Sequence, residues 1–192
     1  MSWEQLPGWF DYEDVYKDAV ERAPNFATFV EIGVGFGRSI AYLASEAIRV
    51  TKKLQIYGVD PWNDDWDTDH PTWGANHAAA GRALGGPYNA VTALMHQHAP
   101  IEMEYVRLLR CRSVQAARMF EDESVFFVFI DGSHHHADVA EDLSEWERKI
   151  IPGGCFAGHD HTDGFPGVQQ AVRERWTDGR TQQRGACWWR SY

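Results

Sequence analysis

Short apolar runs alternate with stretches of helical period along this chain. Residues 11 to 22 place Tyr12, Val15, Tyr16, Ala19 and Val20 at helical spacing, and Pro24 stops that helix. Phe26 to Ile32 is apolar and β-branched and ends in Gly33, after which Ile40, Leu43, Ala44, Ala47 and Ile48 return with helical period. Leu54 to Val59, Met103 to Leu109 and Val125 to Ile130 read as further buried strands. Val139, Leu143, Trp146 and Ile150 mark a helix face that stops at Pro152-Gly153-Gly154. Cys155 to Gly158 makes the next strand, Gly167 to Trp176 another helix, and Ala186 to Tyr192 a closing strand.

Strict alternation of this kind predicts an α/β fold, a Rossmann-like three-layer sandwich. Its sheet is mainly parallel with six or seven strands, covered by helices on both faces and finished by an antiparallel edge or C-terminal strand. The 192 residues contain no repeat and no low-complexity linker, so they are read as a single domain. Residues 1–24 form an N-terminal helical lid or packing segment. Residues 61–100 break the rhythm with Pro61, Pro71, Gly74, Gly81 and Gly85-Gly86-Pro87, and read as a functional, partly helical insertion above the strand ends.

Charge then narrows the partners. Eighteen Lys and Arg against 28 Asp and Glu leave a formal net charge of -10, which repels polyanions and argues against nucleic acid and anionic membranes. No apolar stretch approaches the ~18 residues of a spanning helix, and residues 1–10 lack a basic start followed by an apolar run, so a cytoplasmic location is expected. Cys111, Cys155 and Cys187 are odd in number and without CxxC spacing, which argues against a disulfide framework or a structural zinc site. Nine Trp, seven Tyr and ten Phe exceed what one small core commonly buries. The surplus is available for a pocket roof or a subunit contact, and a homodimer is one expectation.

The segment Glu31-Ile32-Gly33-Val34-Gly35-Phe36-Gly37-Arg38-Ser39 sits where a strand hands over to a helix. Missing Cβ atoms there let a ligand approach the backbone and the helix N-terminus, and doubly wound sheets bind ligands at such carboxyl ends. Arg38 stands where a GxGxxG dinucleotide fingerprint has its last glycine, which weakens the NAD reading. Asp60, at the end of the second strand, can accept hydrogen bonds from both ribose hydroxyls; the competing reading of Asp60-Pro61 is a plain turn. Strand, GxGxG, helix, strand and Asp in that order favour a nucleoside ligand.

Asp131 and Asp160 end strands that, if neighbours, present their side chains ~4.8 Å apart on the same rim. Two carboxylates that close require a cation or a proton. Mg²⁺ takes oxygen ligands at ~2.0–2.1 Å, so Asp131 and Asp160 are candidate metal ligands. His161 is the candidate third ligand, and an imidazole would shift preference toward Mn²⁺, Fe²⁺ or Zn²⁺. The competing reading of residues 160–163 is a capped turn. His159 falls, by strand alternation, on the opposite sheet face from Asp160. His134, His135 and His136 cannot all face one site, because successive helical residues point ~100° apart.

Through Glu31 to Ser39, Gly58-Val59-Asp60, Ile130-Asp131-Gly132-Ser133-His134 and Pro152-Gly153-Gly154 to Gly158-His159-Asp160, the chain resembles the class I S-adenosylmethionine-dependent methyltransferases over about residues 25 to 176. It looks most like the metal-dependent O-methyltransferases of the catechol and macrolide-sugar types. The resemblance implies that Glu31, Gly33, Gly35 and Gly37 border the methionine part of the cofactor, with Ser39 on its carboxylate. It places Asp60, Pro61 and Trp62 about the ribose, Arg112 and Ser113 along the adenine, and Asp131 between cofactor and metal; Arg112 and Ser113 also suit an ordinary helix cap. His134 stands at the offset where catechol-type enzymes carry a catalytic lysine, and imidazole can take a hydroxyl proton near neutral pH. The metal-dependent families typically carry Asn or Asp where this chain has His161.

The function so implied is divalent-metal-dependent methylation of a hydroxyl on a small molecule, sugar or aromatic, with the 61–100 segment closing over the site. Trp62, Trp66 and Trp73 with Asp64, Asp65, Asp67 and Asp69 suit stacking on such a ring. The rival readings are an NAD-linked oxidoreductase, a non-catalytic metal-binding module, and a methyltransferase acting on protein or RNA, the last opposed by the charge.

Overall fold

A computed structural model describes residues 2–63, 79 and 81–192. Asp64, Asp65, Trp66, Asp67, Asp69, Pro71, Trp73 and Gly74 lie outside the described residues, and with them most of the expected stacking platform.

A short 3-10 turn at Trp3–Gln5 precedes α1 (Glu13–Arg22) and β1 (Thr28–Ile32). Then come α2 (Arg38–Arg49), β2 (Gln55–Asp60), α3 (Pro87–His98), α4 (Pro100–Met103), β3 (Val106–Arg110) and α5 (Ser113–Ala117). The chain continues through β4 (Val125–Ile130), α6 (His136–Glu147), β5 (Ile150–Gly158) and α7 (Pro166–Arg175), and ends in β6 (Gln182–Arg184) and β7 (Cys187–Ser191). Among the described residues, seven strands form one sheet in the order β3-β2-β1-β4-β5-β7-β6. β1 to β5 pair in parallel, and β7 pairs antiparallel with both β5 and β6. This is the expected mainly parallel sheet with a C-terminal antiparallel edge.

Helices on both faces explain why the central strands are apolar throughout. All six residues of β4 are buried, with Phe127 and Phe129 packing on one face and Val128 and Ile130 on the other. Trp188 and Trp189 divide between the two faces as alternation requires. The aromatic residues ahead of the sheet are mostly core: Phe10, Tyr12, Tyr16 and Phe129 pack ring on ring, and Trp3 meets Phe10 and Tyr42 edge-on. Trp9, 66% exposed, is left over.

Three boundaries differ from the periodicity. β3 starts at Val106, because Pro100 opens the one-turn helix α4 that takes up Met103. Ile150 belongs to β5 rather than to the preceding helix: α6 ends at Glu147, and the strand runs through Pro152-Gly153-Gly154 by a register break opposite Val125 and Phe127. β6 was not foreseen, being three exposed polar residues without an apolar pattern. No helix among the described residues is long and apolar enough to cross a membrane.

The chain winds outward from β1 to β2 and β3, then returns to β4 beside β1. The crevice where the order reverses lies between the carboxyl ends of β1 and β4, where such sheets hold their ligands.

Candidate active site

A cavity of about 1090 Å³ opens over that crevice. Its floor is the turn after β1. Gly33 has φ +87°, and a Cβ there would stand 2.0 Å from the Asp131 carbonyl oxygen, so the loops after β1 and β4 can touch only through glycine. Gly37, the residue before α2, has φ +88°, and a Cβ on it would meet Met95 Sδ at 2.6 Å. Gly33 and Gly35 line the cavity, whereas Gly37 makes room for α3.

Glu31 and Ser39 meet each other beneath the turn. The Ser39 hydroxyl donates to Glu31 Oε1 at 2.5 Å and the Tyr16 hydroxyl donates to Oε2 at 2.8 Å. Burial pushes the Glu31 carboxyl up to about 8, against the lowering effect of these two hydrogen bonds. Glu31 is fully buried beneath the turn, and Ser39, expected on the cofactor carboxylate, already has its proton committed, although it lines the cavity.

Asp60 is a clamp on the same turn. Its Oδ2 accepts from the backbone N–H groups of Val34 at 3.0 Å and Gly35 at 3.1 Å, and its Oδ1 accepts from Trp62 N–H at 2.7 Å. Burial raises its pKa while those three donors pull the other way. Asp60 and Pro61 line the cavity. Trp62 does not: it is 1% exposed, donates Nε1–H to the Gly35 carbonyl at 2.9 Å and packs on Tyr88. Its left-handed backbone (φ +41°) turns the indole under the glycine turn, so it supports the floor.

At the β3 side the wall is Arg112, Ser113 and Val114. Arg112 is the N-cap residue of α5, its N–H bonded to Gln115 Oε1 at 3.1 Å, and Ser113 Oγ accepts from Trp146 Nε1 at 2.7 Å. Both cap and lining roles hold together. Asp142 of α6, absent from the sequence expectations, faces the same end.

At the opposite end Asp131, His159 and Asp160 offer ligand atoms that all lie within 4.8 Å of one another. His159 Nδ1 is 3.0 Å from Asp160 Oδ1 and 3.7 Å from Asp131 Oδ1, and His159 Nε2 is 3.0 Å from Asp11 Oδ1. His159 therefore shares a side with Asp160, against the alternation argument. The strand stops at Gly158, and Asp160 takes a left-handed backbone (φ +59°), which swings its carboxylate back toward His159. His161 is the ligand that the structure does not deliver. Its N–H bonds the Ala186 carbonyl and its Nδ1 lies 3.3 Å from Gln183 Oε1, so it fastens the C-terminal hairpin and lines no part of the cavity.

His134 reaches the cluster from the β4 loop, with Nε2 2.8 Å from Asp160 Oδ2 and its ring against Phe165 at 4.2 Å. A Cβ on Gly167 would strike the His134 carbonyl oxygen at 2.4 Å, so the start of α7 sets this loop in place. His136 turns outward to Glu174, as helical spacing requires. Tyr12 donates to Asp131 Oδ2 at 2.6 Å. Burial raises the Asp131 carboxyl to about 6, opposed by His159 and reinforced by Asp160. Burial would also raise Asp160, but hydrogen bonds from His134 and His159 hold it well below the usual carboxylate range. Burial would lower His159, and the surrounding carboxylates instead lift it to about 9.

Tyr12 carries no local sign of its role, whereas His159 does. The signal that was present is the His159-Asp160 dipeptide at the end of an apolar strand, which alternation alone misassigns.

Comparison with known proteins agrees with this geometry. Among curated proteins, the chain is 27% identical over 132 residues to the uncharacterized protein y4gI of Sinorhizobium fredii, covering 68% of this chain and 13% of that one, so it spans only a small part of that relative's length. Among solved structures it is similar to the O-methyltransferase NovP, with TM-score 0.66, 14% identity, and 93% of this chain against 78% of the other. CalS11, a TDP-rhamnose 3′-O-methyltransferase of calicheamicin biosynthesis, gives TM-score 0.65 at 16% identity over 94% and 77% of the two chains. SMU.1697c of Streptococcus mutans, solved with S-adenosylhomocysteine and described as a methyltransferase, gives 0.62 at 9% identity over 96% and 99%. At such identities these three establish the fold. The model of the family described as "Methyltransferase domain" matches residues 30–161, the stretch that carries the glycine turn, Asp60, Asp131, His159 and Asp160. The chain belongs to that methyltransferase domain family.

Proposed function

We propose that the chain transfers the methyl group of S-adenosylmethionine to a hydroxyl oxygen of a small molecule, a sugar or an aromatic ring, at a site that also holds a divalent cation. The observation that carries this reading is one cavity with two chemically different ends. Glycine turn, Asp60, Arg112 and Ser113 lie at one, and Asp131, His159, Asp160 and His134 at the other. Its volume exceeds that of an ordinary single-ligand pocket of ~300–1,000 Å³, which suits a cofactor with an acceptor beside it.

The donor set suits a cation. Adjacent ligands about 2.1 Å from an octahedral ion stand about 3 Å apart, and His159 Nδ1 to Asp160 Oδ1 is 3.0 Å. Two carboxylates favour Mg²⁺ or Mn²⁺, and the imidazole extends the choice to Fe²⁺ and Zn²⁺. Asp131, His159 and Asp160 would hold the ion, whose chemistry there is to orient and acidify the acceptor hydroxyl.

The chain's own groups do the rest. The glycine turn lets the cofactor lie against the backbone, and Asp60 keeps that turn in shape from below. His134 takes the acceptor proton, and Asp160 beside it neutralises the imidazolium so formed. In methyl transfer the carbon–sulfur bond of the sulfonium breaks as a carbon–oxygen bond forms to the oxyanion and the neutral thioether leaves, so charge cancels and alignment accounts for most of the rate gain. Two structural neighbours named as O-methyltransferases, one of them acting on TDP-rhamnose, support an oxygen acceptor of this kind.

The test is formation of S-adenosylhomocysteine with a panel of sugar nucleotides and catechols, with and without EDTA. Turnover of at least one acceptor, suppressed by EDTA and restored by a divalent ion, is the expected result. Full activity in metal-free buffer would remove the cation from the reading, and failure to bind S-adenosylhomocysteine would remove the reading altogether.

A further inference from the structure

We propose that Asp11 is the positioning residue of the cation site: it accepts the Nε2 hydrogen of His159 and so keeps the Nδ1 lone pair of that ring aimed at the ion. The inference rests on the cation reading above and adds to it a residue of the N-terminal segment, outside the sheet that supplies the ligands. His159 Nε2 lies 3.0 Å from Asp11 Oδ1, while His159 Nδ1 lies 3.0 Å from Asp160 Oδ1 and 3.7 Å from Asp131 Oδ1. The two nitrogens sit on different edges of the ring, so a carboxylate held at Nε2 stands away from an ion bound at Nδ1. Asp11 accordingly lies outside the convergent set of Asp131, His159 and Asp160.

Imidazole binds a metal through a lone pair, and the hydrogen bond at one ring nitrogen settles which nitrogen keeps it. An acceptor at Nε2 holds the hydrogen there and leaves Nδ1 to the ion; it also restrains rotation of the ring about its bond to the backbone. The segment that delivers Asp11 is itself held in place. Arg38 Nη1 donates to the carbonyls of Leu6 at 3.4 Å and Gly8 at 3.2 Å, and Phe10 packs on Tyr12 and Tyr42. The next residue, Tyr12, lays its ring 5.0 Å from that of His159 and donates its hydroxyl to Asp131. Two consecutive residues ahead of α1 therefore hold two of the three candidate ligands from behind, Asp11 the imidazole and Tyr12 the carboxylate.

The experiment is calorimetric titration with Mn²⁺ of the wild-type chain, Asp11→Ala, Asp11→Asn, His159→Ala and the Asp11→Ala/His159→Ala double variant, each checked by thermal melting, with pulsed electron paramagnetic resonance of the bound Mn²⁺. Asp11→Ala is expected to weaken Mn²⁺ binding about tenfold or more and to diminish the coupling of an imidazole nitrogen to the metal. Asp11→Asn, whose carbonyl oxygen still accepts from Nε2–H, is expected to bind more tightly than Asp11→Ala. In the His159→Ala background, loss of Asp11 is expected to change the affinity less than twofold, because the ring it orients is gone. A carboxylate that only attracts the ion through space would weaken binding equally with and without His159, and that result overturns the inference. Wild-type Mn²⁺ affinity and nitrogen coupling in Asp11→Ala overturn it too, as does an Asp11→Asn no better than Asp11→Ala. If Asp11→Ala does not fold, Asp11→Ser takes its place with the same expectations. A wild type that binds no Mn²⁺ overturns the cation reading and this inference with it, whereas a wild type that binds Mn²⁺ beside indifferent Asp11 variants overturns the inference alone.

Discussion

The Tyr12 hydroxyl donates to Asp131 Oδ2 across 2.6 Å, joining two residues 119 positions apart. Tyr12 comes just before α1 and Asp131 just after β4, so the N-terminal segment closes one side of the site that the sheet builds. Burial and the facing carboxylates raise the Tyr12 pKa well above its ordinary value, which keeps the proton on the phenol as a permanent donor. Tyr12→Phe should leave Asp131 with one donor fewer. A hydrogen bond to a charged acceptor contributes ~1.5–3 kcal/mol, so the variant should lose about that much unfolding free energy in urea and turn over about tenfold more slowly. Wild-type stability and rate together would show that the contact holds nothing in place.

His159 and His161 make a paired test. If the proposed cation site exists, His159→Ala should weaken Mn²⁺ binding by tenfold or more, because it removes one of three convergent candidate ligands. His161→Ala should leave Mn²⁺ affinity within about twofold and instead loosen the hairpin it fastens through Ala186 and Gln183, seen as a lower melting temperature. The reverse pattern of metal affinities would restore His161 as the ligand.

Asp60→Ala has a double consequence. On a ribose-binding role alone it would cost cofactor affinity and little else. Because both carboxylate oxygens also hold the backbone of Val34, Gly35 and Trp62, the substitution should lower the melting temperature by several degrees and raise the dissociation constant for S-adenosylhomocysteine at least tenfold. A fall in affinity at unchanged stability would show that the clamp is dispensable.

Glu31 gives a pH dependence of known sign. Its folded-state pKa of about 8 stands above the ordinary value of 4.5, so the folded chain holds this proton more tightly than the unfolded one. The corresponding stability is fully present below pH 4.5, falls as pH rises, and is gone above about pH 8. Glu31→Gln should abolish this component. The stability difference between wild type and variant, followed by urea unfolding from pH 5 to pH 9, should move against the wild type as pH rises. A difference independent of pH would mean that the buried carboxyl titrates normally.

Most of the architecture was legible because its signals are local. β4 declares itself as six consecutive apolar residues, and the Gly33-Gly35-Gly37 spacing announces a turn that side chains would obstruct. β6 was not legible, since Gln182, Gln183 and Arg184 are polar and exposed and pair with β7 only because the hairpin brings them alongside. Ser39 and Trp62 were read as ligand contacts from their place beside the motifs. Packing turned Ser39 toward Glu31 and Trp62 toward the Gly35 carbonyl.

The sequence by itself determined the order of strands and helices, the glycine turn, and the placing of Asp60, Asp131 and Asp160 at strand ends, because hydrophobic period and punctuation act over neighbouring residues. Only the tertiary structure decided which histidine joins Asp131 and Asp160, and that Tyr12 and Asp11 reach the same cluster. A single left-handed residue, Asp160, ends the alternation on which the choice between His159 and His161 depended. Contacts spanning more than a hundred residues are fixed by how the N-terminal segment packs over the sheet, which no local pattern encodes.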